Sequence, residues 1–188
     1  MRVSRSPQTD SRDEMACMGQ ELAIRLARRN EVPSLPHLQV AAGEAFRELD
    51  MGLVADGPRP EIAAFAEAQQ AERLLVAVEE GKVVGFVRLE VLDAALHVEQ
   101  VTVAPSHGGR GIGRRLMLAA EDLARERGYD RMTLTAFRDV LFNGPFYESL
   151  GWEVLPADEL PPDLAAARRE EAEAGLDAWP RQAMVRHL

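Results

Sequence analysis

The stretch from Val101 to Met117 constrains the fold more than any other part of this chain. It reads Val-Thr-Val-Ala-Pro-Ser-His-Gly-Gly-Arg-Gly-Ile-Gly-Arg-Arg-Leu-Met. Strand-forming residues run straight into glycines, and the glycines open a helix. That helix is predicted from about Ile112 to Arg127, with Ile112, Leu116, Ala120, Leu123 and Ala124 on one face and Gly128 as its stop. A strand that turns through glycines into a helix exposes backbone N–H groups at the positive end of the helix dipole, which makes an anion site. Glycine lets the backbone approach the anion without a Cβ in the way. Arg110, Arg114 and Arg115 concentrate positive charge at the same place. The plainer alternative is a glycine-rich turn that does no more than cap a helix.

The segments before the loop read as consecutive strands. Leu22 to Arg28 alternates apolar and polar residues, the period-2 sign of a half-buried strand. Arg73 to Val78, Val83 to Val91 and Leu96 to Val103 follow, separated by short turns at Glu79–Lys82 and Asp93–Ala95, so these neighbours should be antiparallel. Two helices are predicted between the first strand and the rest, Val32 to Leu49 and Glu61 to Gln70. Beyond the glycine loop the pattern gives a strand at Arg131–Phe137, a helix at Leu141–Leu150, a strand at Trp152–Leu155, an acidic surface helix within Asp158–Gly175 and a strand at Gln182–Arg186. Met1 to Gln20 is polar and without apolar periodicity and is expected to be a flexible leader to one domain over residues 21–188. The order of elements is that of a mixed α/β sheet.

Composition narrows the function. The chain has 188 residues, 46% hydrophobic and 28% charged, with 22 Lys and Arg against 31 Asp and Glu for a formal charge of −9. A field of that sign repels phosphate backbones, so nucleic acid is not an expected partner. No apolar run exceeds five residues, against the roughly 18 a membrane helix needs, so no membrane contact is expected and a cytoplasmic location is. The one cysteine, Cys17, excludes an internal disulfide and a multi-cysteine zinc site.

Two phosphate-binding loops can be set aside. A P-loop needs Lys-Ser/Thr after its last glycine, and Gly113 is followed by Arg114-Arg115. A dinucleotide fingerprint fails at its third glycine, where Arg114 stands, and the preceding strands look antiparallel.

The remaining pattern resembles the GNAT superfamily of acyl-CoA-dependent N-acetyltransferases. The family's loop, Gln/Arg-x-x-Gly-x-Gly/Ala after a strand ending in Val-x-Pro, corresponds to Gly108-Gly-Arg-Gly-Ile-Gly113 after Val103-Ala-Pro105. A second family segment, Asn-x-x-(x)-Phe-Tyr-x-x-Leu-Gly-Phe, corresponds to Asn143-Gly-Pro-Phe-Tyr-Glu-Ser-Leu-Gly-Trp152. Gly108 departs from the pattern, because the family usually has Gln or Arg there, which removes one side-chain contact and leaves the backbone cradle.

The resemblance implies a GNAT fold, a mixed and mostly antiparallel sheet with a V-shaped splay, flanked by helices. It implies acetyl-CoA as co-substrate, no metal, and a small-molecule or peptide amine as acceptor; members of the family are often dimers. The cofactor-binding residues would be Val101, Val103, Gly108, Gly109, Arg110, Gly111, Ile112, Gly113, Arg114, Asn143, Phe146 and Tyr147. Backbone amides of Gly109 to Arg114 would hold the pyrophosphate, the edge of Val101–Val103 and Asn143 would hold the pantetheine arm, and an N–H near Val103 would polarise the acetyl carbonyl.

Tyr147 matches the family's general acid, which protonates the leaving thiolate. Glu99 and His97 match places where relatives carry a base, directly or through water. By period 2 they should share a face with Val101 and Val103. The blander reading for both is a satisfied residue within a sheet, and His97-x-Glu99 as half a metal site lacks further ligands, since His37, His107 and His187 are scattered. Glu44, Glu48, Asp158 and Glu159 would make the acceptor site acidic, while Trp152 and Trp179 read as packing and Arg168-Arg169-Glu170-Glu171 as a solvated helix face. The rival to an enzyme is a non-catalytic acyl-CoA-binding module on the same fold.

Overall fold

The computed structural model describes residues 22–188; the leader expected over residues 1–20 lies outside the described residues. The centre is three antiparallel strands, β2 (Leu74–Glu79), β3 (Lys82–Leu92) and β4 (Ala95–Val103), in the order the alternation predicts. Their turns, Glu80-Gly81 and Asp93-Ala94, hold all four residues at positive φ, between 49° and 75°. Two-residue turns of that hand match the twist of the strands they join.

β1 (Ala23–Leu26) adds to the free side of β2, and β5 (Arg131–Phe137) lies parallel to β4. β7 (Arg181–His187) pairs antiparallel between β5 and the short β6 (Glu153–Leu155), giving a seven-stranded open sheet in the order β1-β2-β3-β4-β5-β7-β6. Among the described strands, β4 to β5 is the one parallel junction.

Helices cover both faces. α4 (Ile112–Glu126) lays Ile112, Leu116, Met117, Ala120 and Ala124 against Val87, Leu89, Leu96 and Val98, all 4% exposed or less. On the other face α1 (Leu35–Gly43) and α3 (Ile62–Gln70) bury Leu35 and Phe65 against Val76 and Phe86. The Phe65 and Phe86 rings meet edge-on at 5.3 Å with no exposure, a burial of about 1.5–3 kcal/mol for each ring.

The helix predicted from Val32 to Leu49 is instead broken. It consists of a 3-10 turn at Val32–Ser34, then α1, then a 3-10 segment at Glu44–Leu49, with an unforeseen α2 (Gly52–Ala55) behind it. Gly43, a weak helix former, stands at the junction, and the tighter winding carries Phe46 into a third cluster around Met51, Phe137 and Val140. α5 (Gly144–Ser149) starts three residues later than expected and α6 (Pro162–Glu173) starts at the proline pair. No described helix is long and apolar enough to cross a membrane.

Candidate active site

β4 and β5 pair only across Leu96–Val98 and Met132–Leu134, and then diverge. The divergence begins where β4 carries one residue too many. Arg88 lies opposite Gln100 but Leu89 lies opposite Val98, so Glu99 is a bulge. A bulge bends its strand and sharpens the twist, which opens the expected splay. The Ala104 N–H donates to the Val84 carbonyl at 2.8 Å. Alternation along an antiparallel ladder then turns the N–H and C=O groups of Val101 and Val103 away from β3 and into the gap.

The same bulge corrects the expected faces. Val98, Val101 and Val103 all pack toward the core under α4. His97 and Glu99 stand on the opposite face, where their ligating atoms and a Glu90 carboxylate oxygen all lie within 4.8 Å of one another. A single inserted residue flips every side chain beyond it, so strict period 2 had to fail here.

A cleft of about 710 Å³ runs from the gap to the start of α4. Val101 and Val103 line it, as do Gly108, Gly109, Gly111, Ile112, Gly113, Arg114, Asn143, Phe146 and Tyr147. Gly109 and Gly111 hold φ of +71° and +74° with open space where a Cβ would stand, so the turn needs glycine and the opening over its N–H groups stays clear. Gly108, with φ −58° and ψ 152°, has a backbone any residue adopts. The Ile112 side chain is 2% exposed and belongs to the core, so its share in an anion site is its backbone.

Two of the three loop arginines are engaged by protein acceptors. The Arg110 guanidinium is turned to the Glu79 carboxylate, donating at 2.6 and 2.9 Å. Arg115 donates to the Leu22 carbonyl at 2.6 Å. Arg114 is the arginine whose residue lines the cleft.

A second cleft, about 310 Å³, lies beyond the gap and is lined by Glu99, Thr135, Phe137, Glu171, Leu176 and Arg181. The two clefts share Phe46, Val54, Gln100, Val101, Asn143 and Tyr147. Tyr147 is 7% exposed, its ring 5.1 Å from Phe146 and 6.2 Å from Trp152. Burial pushes its phenol up to about 12, so it stays protonated at neutral pH. Asn143 Oδ1 accepts the Phe137 N–H at 2.7 Å, which ties the end of β5 to the start of α5 and commits that oxygen to the protein.

Of the two base candidates, Glu99 lines the second cleft and His97 lines neither. His97 is 2% exposed with Nδ1 2.9 Å from Thr133 Oγ1, and burial lowers its pKa against the opposing pull of Glu99 and Glu171. Glu99 takes a hydrogen bond from Arg88 at 3.1 Å. Glu90, on β3, is pushed up to about 7 by burial and then by the neighbouring Glu99 charge.

Sequence reasoning missed Glu90, Thr135, Glu171 and Arg181. The sequence places Glu171 on a solvated helix face, but its carboxylate is held by Arg168, Arg181 and the Thr135 hydroxyl. Arg181 also lies over the Phe137 ring at 4.4 Å. Period-2 reading from Gln182 could have been carried one residue back to Arg181; nothing local marked Glu171. The acidic acceptor residues expected at Glu44, Glu48, Asp158 and Glu159 line neither cleft, and Glu44 instead pairs with exposed Arg47 at 3.0 Å.

An opened parallel junction, a glycine turn at a helix start and a tyrosine between two clefts are features of one family. The chain matches the acetyltransferase (GNAT) family over residues 40–152 and belongs to it. Streptothricin acetyltransferase of Streptomyces lavendulae is 44% identical over 73 residues, 37% of this chain and 39% of that protein. N-alpha-acetyltransferase 80 of Mus musculus is 48% identical over 75 residues, 38% of this chain and 23% of that protein. The chain therefore matches well under half the length of either relative. The crystal structure of the PaiA N-acetyltransferase from Thermoplasma acidophilum in complex with coenzyme A has the same fold, with a TM-score of 0.62 at 14% identity, covering 89% of this chain and 99% of that one.

Proposed function

We propose that this protein transfers an acetyl group from acetyl-CoA directly to a primary amine of a small molecule or peptide. The observation that carries the reading is the meeting of two clefts at Val101 and Tyr147, across the strand edge freed by the bulge. The larger cleft fits the cofactor, because its glycine turn has room above it where a Cβ would stand and its rim offers the N–H groups of a helix start.

Acetyl-CoA, when bound, supplies the activated thioester. Backbone N–H groups from Gly109 to Arg114 hold its pyrophosphate, and the free edge of Val101 and Val103 pairs with the pantetheine amides. The Val103 N–H polarises the acetyl carbonyl. An alkylammonium, with a pKa of about 10.4, cannot attack until it loses a proton. Glu99 takes that proton on the acceptor side of the gap. As the new C–N bond replaces the C–S bond, the Tyr147 hydroxyl delivers its proton to the departing sulfur, and the second proton shed by the nitrogen returns to the phenolate. Neither step needs a metal. A cytoplasmic setting, where acetyl-CoA is available, goes with this reading.

The test has two stages. Acetyl-CoA at about a hundredfold its dissociation constant should stabilise the fold by ~2.7 kcal/mol and raise the melting temperature by roughly 5–10 °C. Release of free thiol is then followed with spermidine, lysine, streptothricin and a peptide with a free amino terminus. A melting shift without thiol release from any of them favours the acyl-CoA-binding module. No shift at all overturns both readings.

A further inference from the structure

We propose that Glu90 and Glu99 act as one proton-sharing carboxyl pair beside His97, and that this pair, rather than Glu99 alone, receives the proton of the acceptor amine. The inference rests on the acetyl-transfer reading above.

Register and alternation place the pair. Glu90 lies opposite His97 across the strands, and Glu99, two residues on from His97, shares that face. Glu90, His97 and Glu99 bring their polar atoms within 4.8 Å of one another. Glu90 is half-buried and reaches neither cleft, whereas Glu99 lines the second. Glu99 is thus the member that touches substrate, and Glu90 is a positioning residue that acts through it.

The charges around the pair come from four elements or their flanks. Arg88 on β3 donates to Glu99 at 3.1 Å, and Arg73, just before β2, acts on Glu90 from farther off. His97 on β4 is buried and held toward its neutral form, so it adds no positive charge that would favour a doubly ionised pair. Glu171 on α6 adds negative charge from beyond His97. Two carboxylates this close, one half-buried, do not ionise independently, and the second proton leaves well above the ordinary range. Burial and Glu99 together push Glu90 up to about 7.

The consequence is chemical. A solitary exposed glutamate, near 4.3, is a poor base for an amine at neutral pH, whereas a pair that takes up its proton near neutrality is matched to the task. The ammonium nitrogen gives one proton to the doubly ionised pair and becomes a neutral nucleophile. The pair becomes singly protonated, and that proton leaves to water through Glu99, whose side chain is 39% exposed.

The experiment titrates glutamate carboxyls by carbon-13 NMR in the wild type, Glu90→Gln and Glu99→Gln. In parallel it measures the pH profile of acetylation for whichever of spermidine, lysine, streptothricin or the peptide amine gives the highest wild-type rate. We expect one carboxyl to titrate near 7 in the wild type and none there in Glu90→Gln, while in Glu99→Gln the Glu90 carboxyl should move below 7 yet stay above the ordinary range, because its burial remains. In Glu90→Gln the acidic limb of the profile should move down by about two to three pH units, toward an ordinary glutamate. A wild-type titration with every glutamate in the ordinary range overturns the pair, whatever the variants do. A shared proton near 7 with an unmoved limb in Glu90→Gln overturns its part in catalysis and leaves the acetyl-transfer reading standing. If no amine is acetylated, that reading falls and the catalytic role with it, while the NMR titration still decides whether the pair exists. Should Glu90→Gln fail to fold, the wild-type titration and the Glu99→Gln spectrum carry the decision.

Discussion

Glu79, at the end of β2, accepts two hydrogen bonds from Arg110 in the glycine loop, at 2.6 and 2.9 Å, and its second oxygen lies 3.2 Å from His107 Nε2. One carboxylate thus ties the loop to the sheet at two points. Arg110 holds the Glu79 carboxyl below its usual value of 4.5. A depressed carboxyl stabilises the fold above its unfolded value, and that contribution is lost as pH falls through the folded value. The latch should hold above about pH 4.5 and release only in stronger acid. Glu79→Gln should raise KM for acetyl-CoA several-fold with kcat little changed, as read from initial rates at saturating amine. An unchanged KM would show that the loop keeps its shape without the latch.

Tyr147→Phe removes the hydroxyl and keeps the ring between Phe146 and Trp152. Turnover should fall by ~10²–10⁴, with the melting temperature and the acetyl-CoA shift preserved. Because the phenol titrates only at about 12, no basic limb from this residue should appear in the wild-type kcat profile below that pH.

Gly108→Gln tests the departure at the loop. The backbone there suits any residue, and an added Cβ would sit 3.4 Å from the Pro105 carbonyl oxygen, an ordinary contact. The variant should melt within about 1–2 °C of the wild type, a surface change of ±0.5 kcal/mol or less. Its KM for acetyl-CoA should drop. Gly111→Ala, at φ +74°, should instead lose about 1–2 kcal/mol and bind the cofactor more weakly. Calorimetry on the two variants separates the cases.

Asp93 reaches from the β3–β4 turn to the start of α6, accepting the Asp163 and Leu164 N–H groups at 2.9–3.1 Å. In return the Asp93 N–H donates to Asp163 Oδ2 at 3.3 Å. Asp93→Ala removes a helix cap and should cost about 1 kcal/mol, or roughly 2–4 °C in melting temperature. Since α6 brings Glu171 to the second cleft, which the proposed function gives to the amine, KM for the amine should rise while KM for acetyl-CoA stays put.

The strands, the glycine turn and α4 were legible because their signals are local. Alternation from Val83 to Val103 and the five-residue apolar face from Ile112 to Ala124 state their own periods. The bulge was not legible, because it is a mismatch between two strands: Val98 and Gln100 are consecutive partners of Leu89 and Arg88, and nothing within β4 marks Glu99 as extra. The break of the first helix was half legible, since Gly43 is visible, but the pull of Phe46 toward Phe137, 5.5 Å away and 91 positions on, is not. The Arg110 side chain's pairing with Glu79 was not legible, because that partner is 31 residues distant.

By itself the sequence determined the order of strands and helices, the loop whose glycines can take positive φ, and the residue types that acetyl transfer requires. These follow from the conformational limits and side-chain period of each short stretch. Only the tertiary structure decided which face His97 and Glu99 occupy, that Glu90 joins them, and that Glu171 and Arg181 wall the second cleft. Those outcomes depend on how many residues one strand sets against another and on charges brought together from distant positions, where burial makes each pairing count.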